Sequence, residues 1–129
     1  MARVLITDDS ATARMIVQRC VEMLGWKNCE FHHAADGMAA FEALQRDVFD
    51  LVITDIVMPV MNGKDLLKKI RSVSLLNRMP VFVISSLVNP ALEDELVKMG
   101  ANWVIFKPVS PPKMLEAIES VIGKDFREK

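Results

Sequence analysis

Five short apolar runs punctuate the chain, and each is followed by a segment whose apolar residues recur every three or four positions. The runs are Arg3 to Thr7, Cys29 to His33, Leu51 to Thr54, Val81 to Ile84 and Trp103 to Phe106. A strand covered on both faces has no solvent side to alternate toward, so it reads as a nearly continuous apolar stretch. The segments between have the 3.6-residue period of helices with one buried face. Helix 1 follows Asp9-Ser10, sets Ala13, Ile16, Val17, Cys20, Val21 and Leu24 on one face, and stops at Gly25. Asp36 caps helix 2, whose inner face is Ala40, Phe41 and Leu44. Asn62 caps helix 3, with Leu66, Leu67 and Ile70 inward. Asn89-Pro90 opens helix 4, which Gly100 closes, and Ser110-Pro111 opens helix 5. A proline at the first helical position gives up an N–H that would have no helical partner there. Helix 5 turns Met114 or Leu115, Ile118, and Val121 or Ile122 inward.

Strict alternation of strands and helices predicts an α/β fold, a parallel sheet with helices on both faces. No repeat or linker interrupts the pattern. Residues 1–123 read as one domain and residues 124–129 as a short polar C-terminal tail.

Composition narrows the class. The chain has 129 residues, 51% apolar and 26% charged, which is globular rather than disordered. Sixteen basic and 17 acidic side chains give a net charge of −1. That balance supplies no general drive toward nucleic acid or an anionic membrane. The Met-Ala-Arg start carries no signal-peptide pattern, and no apolar stretch approaches the length of a membrane span, so a cytoplasmic protein is expected. Cys20 and Cys29 fit that compartment as small core thiols rather than a disulfide or metal pair.

Chemistry concentrates where the apolar runs end. Asp8-Asp9 follows the first run, Asp55 the third, Ser85-Ser86 the fourth and Lys107 the fifth. A carboxylate is costly inside, and it belongs where a strand emerges. In an open α/β sheet, sites form at the carboxyl ends of the strands, so three acids, a hydroxyl and a lysine are expected on one rim. Three carboxylates brought together repel unless a cation or protons relieve them. Mg²⁺ suits such a set, since it takes one or two carboxylates together with waters and phosphate oxygens. Lys107 adds a compact positive charge suited to a phosphoryl oxygen, and Ser85 adds a hydroxyl donor. Aspartate is a known covalent phosphoryl acceptor. Asp55 stands alone after the central strand and is the natural acceptor, with Asp8 and Asp9 as metal holders. Taken singly, each element has an ordinary explanation: Asp8-Asp9-Ser10 as a helix cap, Lys107-Pro108 as a turn, Ser85 as a loop hydroxyl. Their co-occurrence at four strand ends favours a site.

With these motifs assembled, the chain resembles the receiver domains of two-component response regulators, and is most similar in layout to the single-domain chemotaxis type. The resemblance covers nearly the whole chain and rests on Asp8-Asp9-Ser10, Thr54-Asp55-Ile56-Val57-Met58-Pro59, Asn62-Gly63, Ser85 and Lys107-Pro108. It implies a flavodoxin-like doubly wound fold with five strands in the order 2-1-3-4-5 and five helices. It further implies phosphorylation of Asp55 from the phosphohistidine of a sensor histidine kinase or phosphotransfer protein. Mg²⁺ is then held by Asp9 and Asp55, by Asp8 through water, and by the Val57 carbonyl. A cis peptide before Pro108 places Lys107. The resemblance makes Asp55, Ser85 and Lys107 the catalytic set, and implies a monomer that signals to a downstream protein through the face of helix 4, strand 5 and helix 5. Such a module is an acceptor that assists its own phosphorylation and dephosphorylation rather than an enzyme.

Three positions stand out against the family pattern. The residue three before the lysine, usually aromatic, is Val104. The residues two after the acceptor and two after the hydroxyl are Val57 and Leu87, both apolar. A small Mg²⁺-dependent aspartate-nucleophile phosphohydrolase is the alternative function, but it needs an acid where Val57 stands. A flavin binder would need a phosphate cradle where Asp8 and Asp9 repel phosphate. His32 and His33, adjacent on a strand, point to opposite faces and cannot readily chelate one ion. Lys64, Lys68, Lys69 and Arg71 make helix 3 basic, by default a solvated face.

Overall fold

A computed structural model describes residues 1–128. Five strands and five helices alternate along it. They are β1 (Ala2–Thr7), α1 (Ala11–Glu22), β2 (Cys29–Ala34), α2 (Gly37–Arg46), β3 (Leu51–Asp55), α3 (Gly63–Ser72), β4 (Val81–Ser85), α4 (Pro90–Lys98), β5 (Trp103–Phe106) and α5 (Pro111–Val121). All pairings are parallel, in the order β2-β1-β3-β4-β5. This is the flavodoxin-like arrangement that the resemblance implies. The order reverses at β1, whose neighbours are β2 and β3, and a crevice opens outside the carboxyl ends of the strands at such a reversal.

Each helix begins where a side chain can satisfy its free N–H groups. Ser10, Asp36, Asn62, Asn89 and Ser110 are the caps, accepting from Ala13, Ala39, Asp65, Ala91 with Leu92, and Lys113. Two cores then form, one on each face of the sheet. Val4, Ile6, Ile53 and Ile84 pack with Val17, Cys20 and Val21 of α1 and Met114 and Ile118 of α5. Leu5, Val52 and Val83 pack with Phe41 and Leu44 of α2, Leu66, Leu67 and Ile70 of α3 and Leu96 of α4. No helix among the described residues is long and apolar enough to cross a membrane.

Three details differ from the sequence pattern. Ile16 lies on the apolar side of α1 in the helical period, yet it is half exposed. The buried arc of α1 is narrower than the apolar one. Residues 124–128 are also more than a polar tail. Phe126 is fully buried, packs edge-on against Trp26 with ring centroids 5.6 Å apart, and begins a 3₁₀ turn, Phe126–Glu128. Arg127 stacks on the Phe126 ring and donates to the Leu24 carbonyl at 2.6 Å. Finally, α3 is only in part the solvated face expected: Lys68 and Lys69 are exposed, but three of the four cations also have partners. Lys64 bonds both carboxylate oxygens of Glu95, Lys69 lies over the Phe41 ring, and Arg71 donates to the Gly100 carbonyl and to Asn102.

Both cysteines are free thiols. Burial, with Asp50 and Glu22 nearby, pushes the Cys29 thiol up to about 11, where it is a poor nucleophile.

Candidate functional site

Among the described residues the buried polar side chains are Thr7, Asp8, Thr54 and Ser85. All four stand at or just past the carboxyl ends of β1, β3 and β4. Polar groups are not buried at random, since each costs free energy unless it finds a partner. Their gathering on one rim marks the site, and the expected residues converge there.

The β1–α1 turn carries two of the acids. Asp8 is almost wholly buried and Asp9 is exposed. The Asp8 N–H donates to the Ala34 carbonyl at 3.1 Å, and Asp8 Oδ1 accepts from the Ser10 N–H at 2.9 Å. Asp55 ends β3 with its side chain largely covered. Its Oδ1 accepts from the Ile56 N–H at 2.8 Å, and its Oδ2 faces the Lys107 ammonium at 3.5 Å. Carboxylate oxygens of Asp8, Asp9 and Asp55 all lie within 4.8 Å of one another. That donor set is all hard oxygen, is triply acidic and is compact enough for one cation to touch each acid, so these residues fit Mg²⁺. Burial, opposed by the Ser10 N–H and reinforced by the Asp55 charge, holds the Asp8 carboxyl above its ordinary value.

The remaining walls are set by backbone. Ser85 Oγ donates to the Leu87 carbonyl and accepts from the Leu87 N–H, both at 3.1 Å, so the hydroxyl is tied to the loop that follows β4. The Lys107 N–H donates to the Ser85 carbonyl at 2.8 Å, and the Lys107–Pro108 peptide is cis, as the resemblance implies. In the β3–α3 loop, the Gly63 N–H donates to the Ile56 carbonyl at 2.8 Å, and a Cβ on Gly63 would fall 2.1 Å from the Asp55 carbonyl oxygen. Only glycine lets α3 start this close to the acceptor strand. Val60 adopts φ 67°, and the Met61 N–H closes a three-residue turn on the Pro59 carbonyl at 2.7 Å. A β-branched residue in this region is an outlier that nothing in its sequence context signals. Val57, Leu87 and Val88 are exposed around the rim. A second feature missed in the sequence is Arg14, whose guanidinium donates to the Asp8 carbonyl. His32 and His33 face opposite sides of β2, as expected: His32 packs on Phe49, and His33 bonds Arg14 and Gln18.

The raised Asp8 value gives a stability prediction. A carboxyl whose folded value exceeds its unfolded one favours folding when protonated, and that contribution is lost as pH rises through the folded value. In EDTA at pH 7, Asp8→Asn is therefore expected to melt measurably higher than the parent. The amide oxygen still accepts from Ser10, so the turn is kept. The gain should vanish below the ordinary carboxyl range, and Mg²⁺ should stabilise the variant less than the parent. An apo variant less stable than the parent at pH 7 contradicts this assignment.

Comparison with known proteins agrees with the architecture. A family model described as a response regulator receiver domain matches residues 4–119. The chain is 35% identical over 122 residues to chemotaxis protein CheY-3 of Vibrio cholerae, covering 95% of this chain and 92% of the relative. It is 35% identical to chemotaxis protein CheY1 of Helicobacter pylori, covering 94% and 97% respectively. The solved structure of the chemotaxis response regulator CheY4 of Vibrio cholerae superposes with a TM-score of 0.83 at 32% identity, covering 94% of this chain and 98% of that one.

Proposed function

The chain belongs to the response regulator receiver family, a phosphorylation-activated signalling class, and from that premise we propose that Asp55 is its phosphoryl acceptor. The observation that carries this reading is the convergence of three acids within 4.8 Å, with the Lys107 ammonium 3.5 Å from Asp55 alone among them. A carboxylate oxygen of Asp55 attacks the phosphorus of a kinase or phosphotransfer-protein phosphohistidine. The P–N bond breaks, its electron pair returns to the imidazole, and an acyl phosphate forms on Asp55. Lys107 sits where it can hold a phosphoryl oxygen, and the Ser85 hydroxyl can exchange its Leu87 partner for another. Mg²⁺, held by Asp8, Asp9, Asp55 and the Val57 carbonyl, supplies charge neutralisation when bound. An aspartate phosphohydrolase is disfavoured because Val57, exposed and apolar, stands where its second acid would. The chain is thus an acceptor rather than an enzyme acting on external substrates, working as a monomer in the cytoplasm and taking part in chemotaxis or a phosphorelay.

Output goes to a downstream protein through the α4–β5–α5 face. A groove of about 490 Å³ lies there, between Val97, Trp103, Val104, Phe106 and Lys113. Val104 is buried and has no ring to swing, so rearrangement of the loop after Ser85 must act through its backbone and through Val88 or Trp103.

The test is incubation with Mg²⁺ and acetyl phosphate followed by intact mass. One phosphoryl group per chain is expected, and none would refute the reading. Its lifetime is a further prediction. Val57 and Leu87 are 78% and 63% exposed, and neither can hydrogen-bond an attacking water. The adduct should therefore decay roughly tenfold more slowly in the parent than in Val57→Asn with Leu87→Glu, a modest share of what orienting a reactant contributes. Equal or faster decay in the parent excludes a protective role.

A further inference from the structure

Arg14 reaches from the first turns of α1 back over the β1–α1 turn. One terminal N–H donates to the Asp8 carbonyl, and its Nε donates to His33 Nδ1 at 3.2 Å. Nε2 of the same ring lies 2.7 Å from Gln18 Oε1, one turn further along α1. A guanidinium is always protonated, so Nδ1 can only accept, and the ring must be neutral with its proton on Nε2. That is the tautomer that donates to Gln18, so the two bonds require the same state of the ring.

We propose that Arg14 is a positioning residue for the acidic site, clamped by His33 and Gln18 so that it fixes the turn carrying Asp8 and Asp9 and stays off their carboxylates. The proposal rests on the reading of that site as a Mg²⁺-dependent phosphoryl acceptor. A guanidinium beside three carboxylates gains more from a carboxylate than from a carbonyl. The clamp holds it on the carbonyl and leaves the acids free for the cation. Protonating His33 removes the acceptor and sets a second positive charge against Arg14. The groups facing His33 are Arg14 and Gln18 from α1, with Glu22 joined through Gln18 at 3.5 Å, and His32 on its own strand, itself 3.7 Å from Glu30. Partial desolvation against α1, with the Arg14 and His32 charges, holds His33 below its ordinary value, so the clamp is closed at neutral pH.

Calorimetric Mg²⁺ titration of the full chain from about pH 5 to 8 tests this. Arg14→Ala and His33→Phe should bind about tenfold more weakly at the upper pH, the low end for a residue supporting a metal ligand, while melting in EDTA near the parent temperature. His33→Gln keeps an acceptor that does not titrate. It should match the parent at high pH and lose the extra fall in affinity that protonation of His33 causes at low pH. Parent affinity in Arg14→Ala, or a parent-like pH profile in His33→Gln, overturns the proposal. If Arg14→Ala does not fold, His33→Phe, at an exposed position, decides alone. A parent that binds no Mg²⁺ defeats the underlying functional reading instead.

Discussion

Asp55→Asn should eliminate the hydroxylamine-sensitive phosphoryl adduct completely. Asp8 is almost wholly buried, whereas Asp55 meets the Lys107 ammonium through Oδ2 at 3.5 Å, the one ion pair that Lys107 makes among the described residues. An amide nitrogen is no nucleophile toward phosphorus, and neither neighbouring carboxylate has the Lys107 ion pair that would hold a phosphoryl oxygen. The fold should survive, because the Asn oxygen can still accept from the Ile56 N–H and one charge leaves a repelling cluster. With saturating acetyl phosphate and Mg²⁺, the intact mass of the variant should stay at that of the unmodified chain. Full labelling of the variant would move the acceptor to another residue.

Phe126→Ala should cost about 4 kcal/mol, within the range for removing a buried aromatic ring. That is a large part of the 5–15 kcal/mol typical of a domain. The ring is wholly inaccessible, stands edge-on to Trp26 and carries the Arg127 guanidinium 4.6 Å from its centroid. Its loss opens the core between α1 and α5 and uncovers Trp26, whose indole Nε1 is buried. Urea denaturation should show a lower midpoint with a nearly unchanged slope. A midpoint within experimental scatter of the parent would mean that residues 124–128 are dispensable.

These two residues show what the sequence could and could not convey. The place of Asp55 at the end of β3 was legible because its signal is local: an apolar run that ends in an acid at a position where strands emerge. The helix caps were legible for the same reason, since Ser10, Asp36 and Asn62 each bond an N–H three residues on. Phe126 was not, because one aromatic in a six-residue polar segment has no period to reveal its partner, and Trp26 lies about a hundred residues away. Ile16 failed differently. Periodicity gives the direction of an apolar face but not how much of it the neighbours cover. Arg71 read as a solvated cation, and Arg14 gave no signal at all, because their acceptors, the Gly100 and Asp8 carbonyls among them, are brought near only by the fold. Val60 had no signal at all, since the usual residues at positive φ are glycine and asparagine.

The placement of Trp103 in the wall of the α4–β5–α5 groove gives the molecule a native optical reporter. Indole emission moves to shorter wavelength as water leaves the ring. The other tryptophan, Trp26, is sealed at 7% exposure and forms a steady background. Spectral change under folding conditions therefore originates at Trp103. Occupancy of that groove can be followed in unlabelled protein, in real time, without altering a single residue.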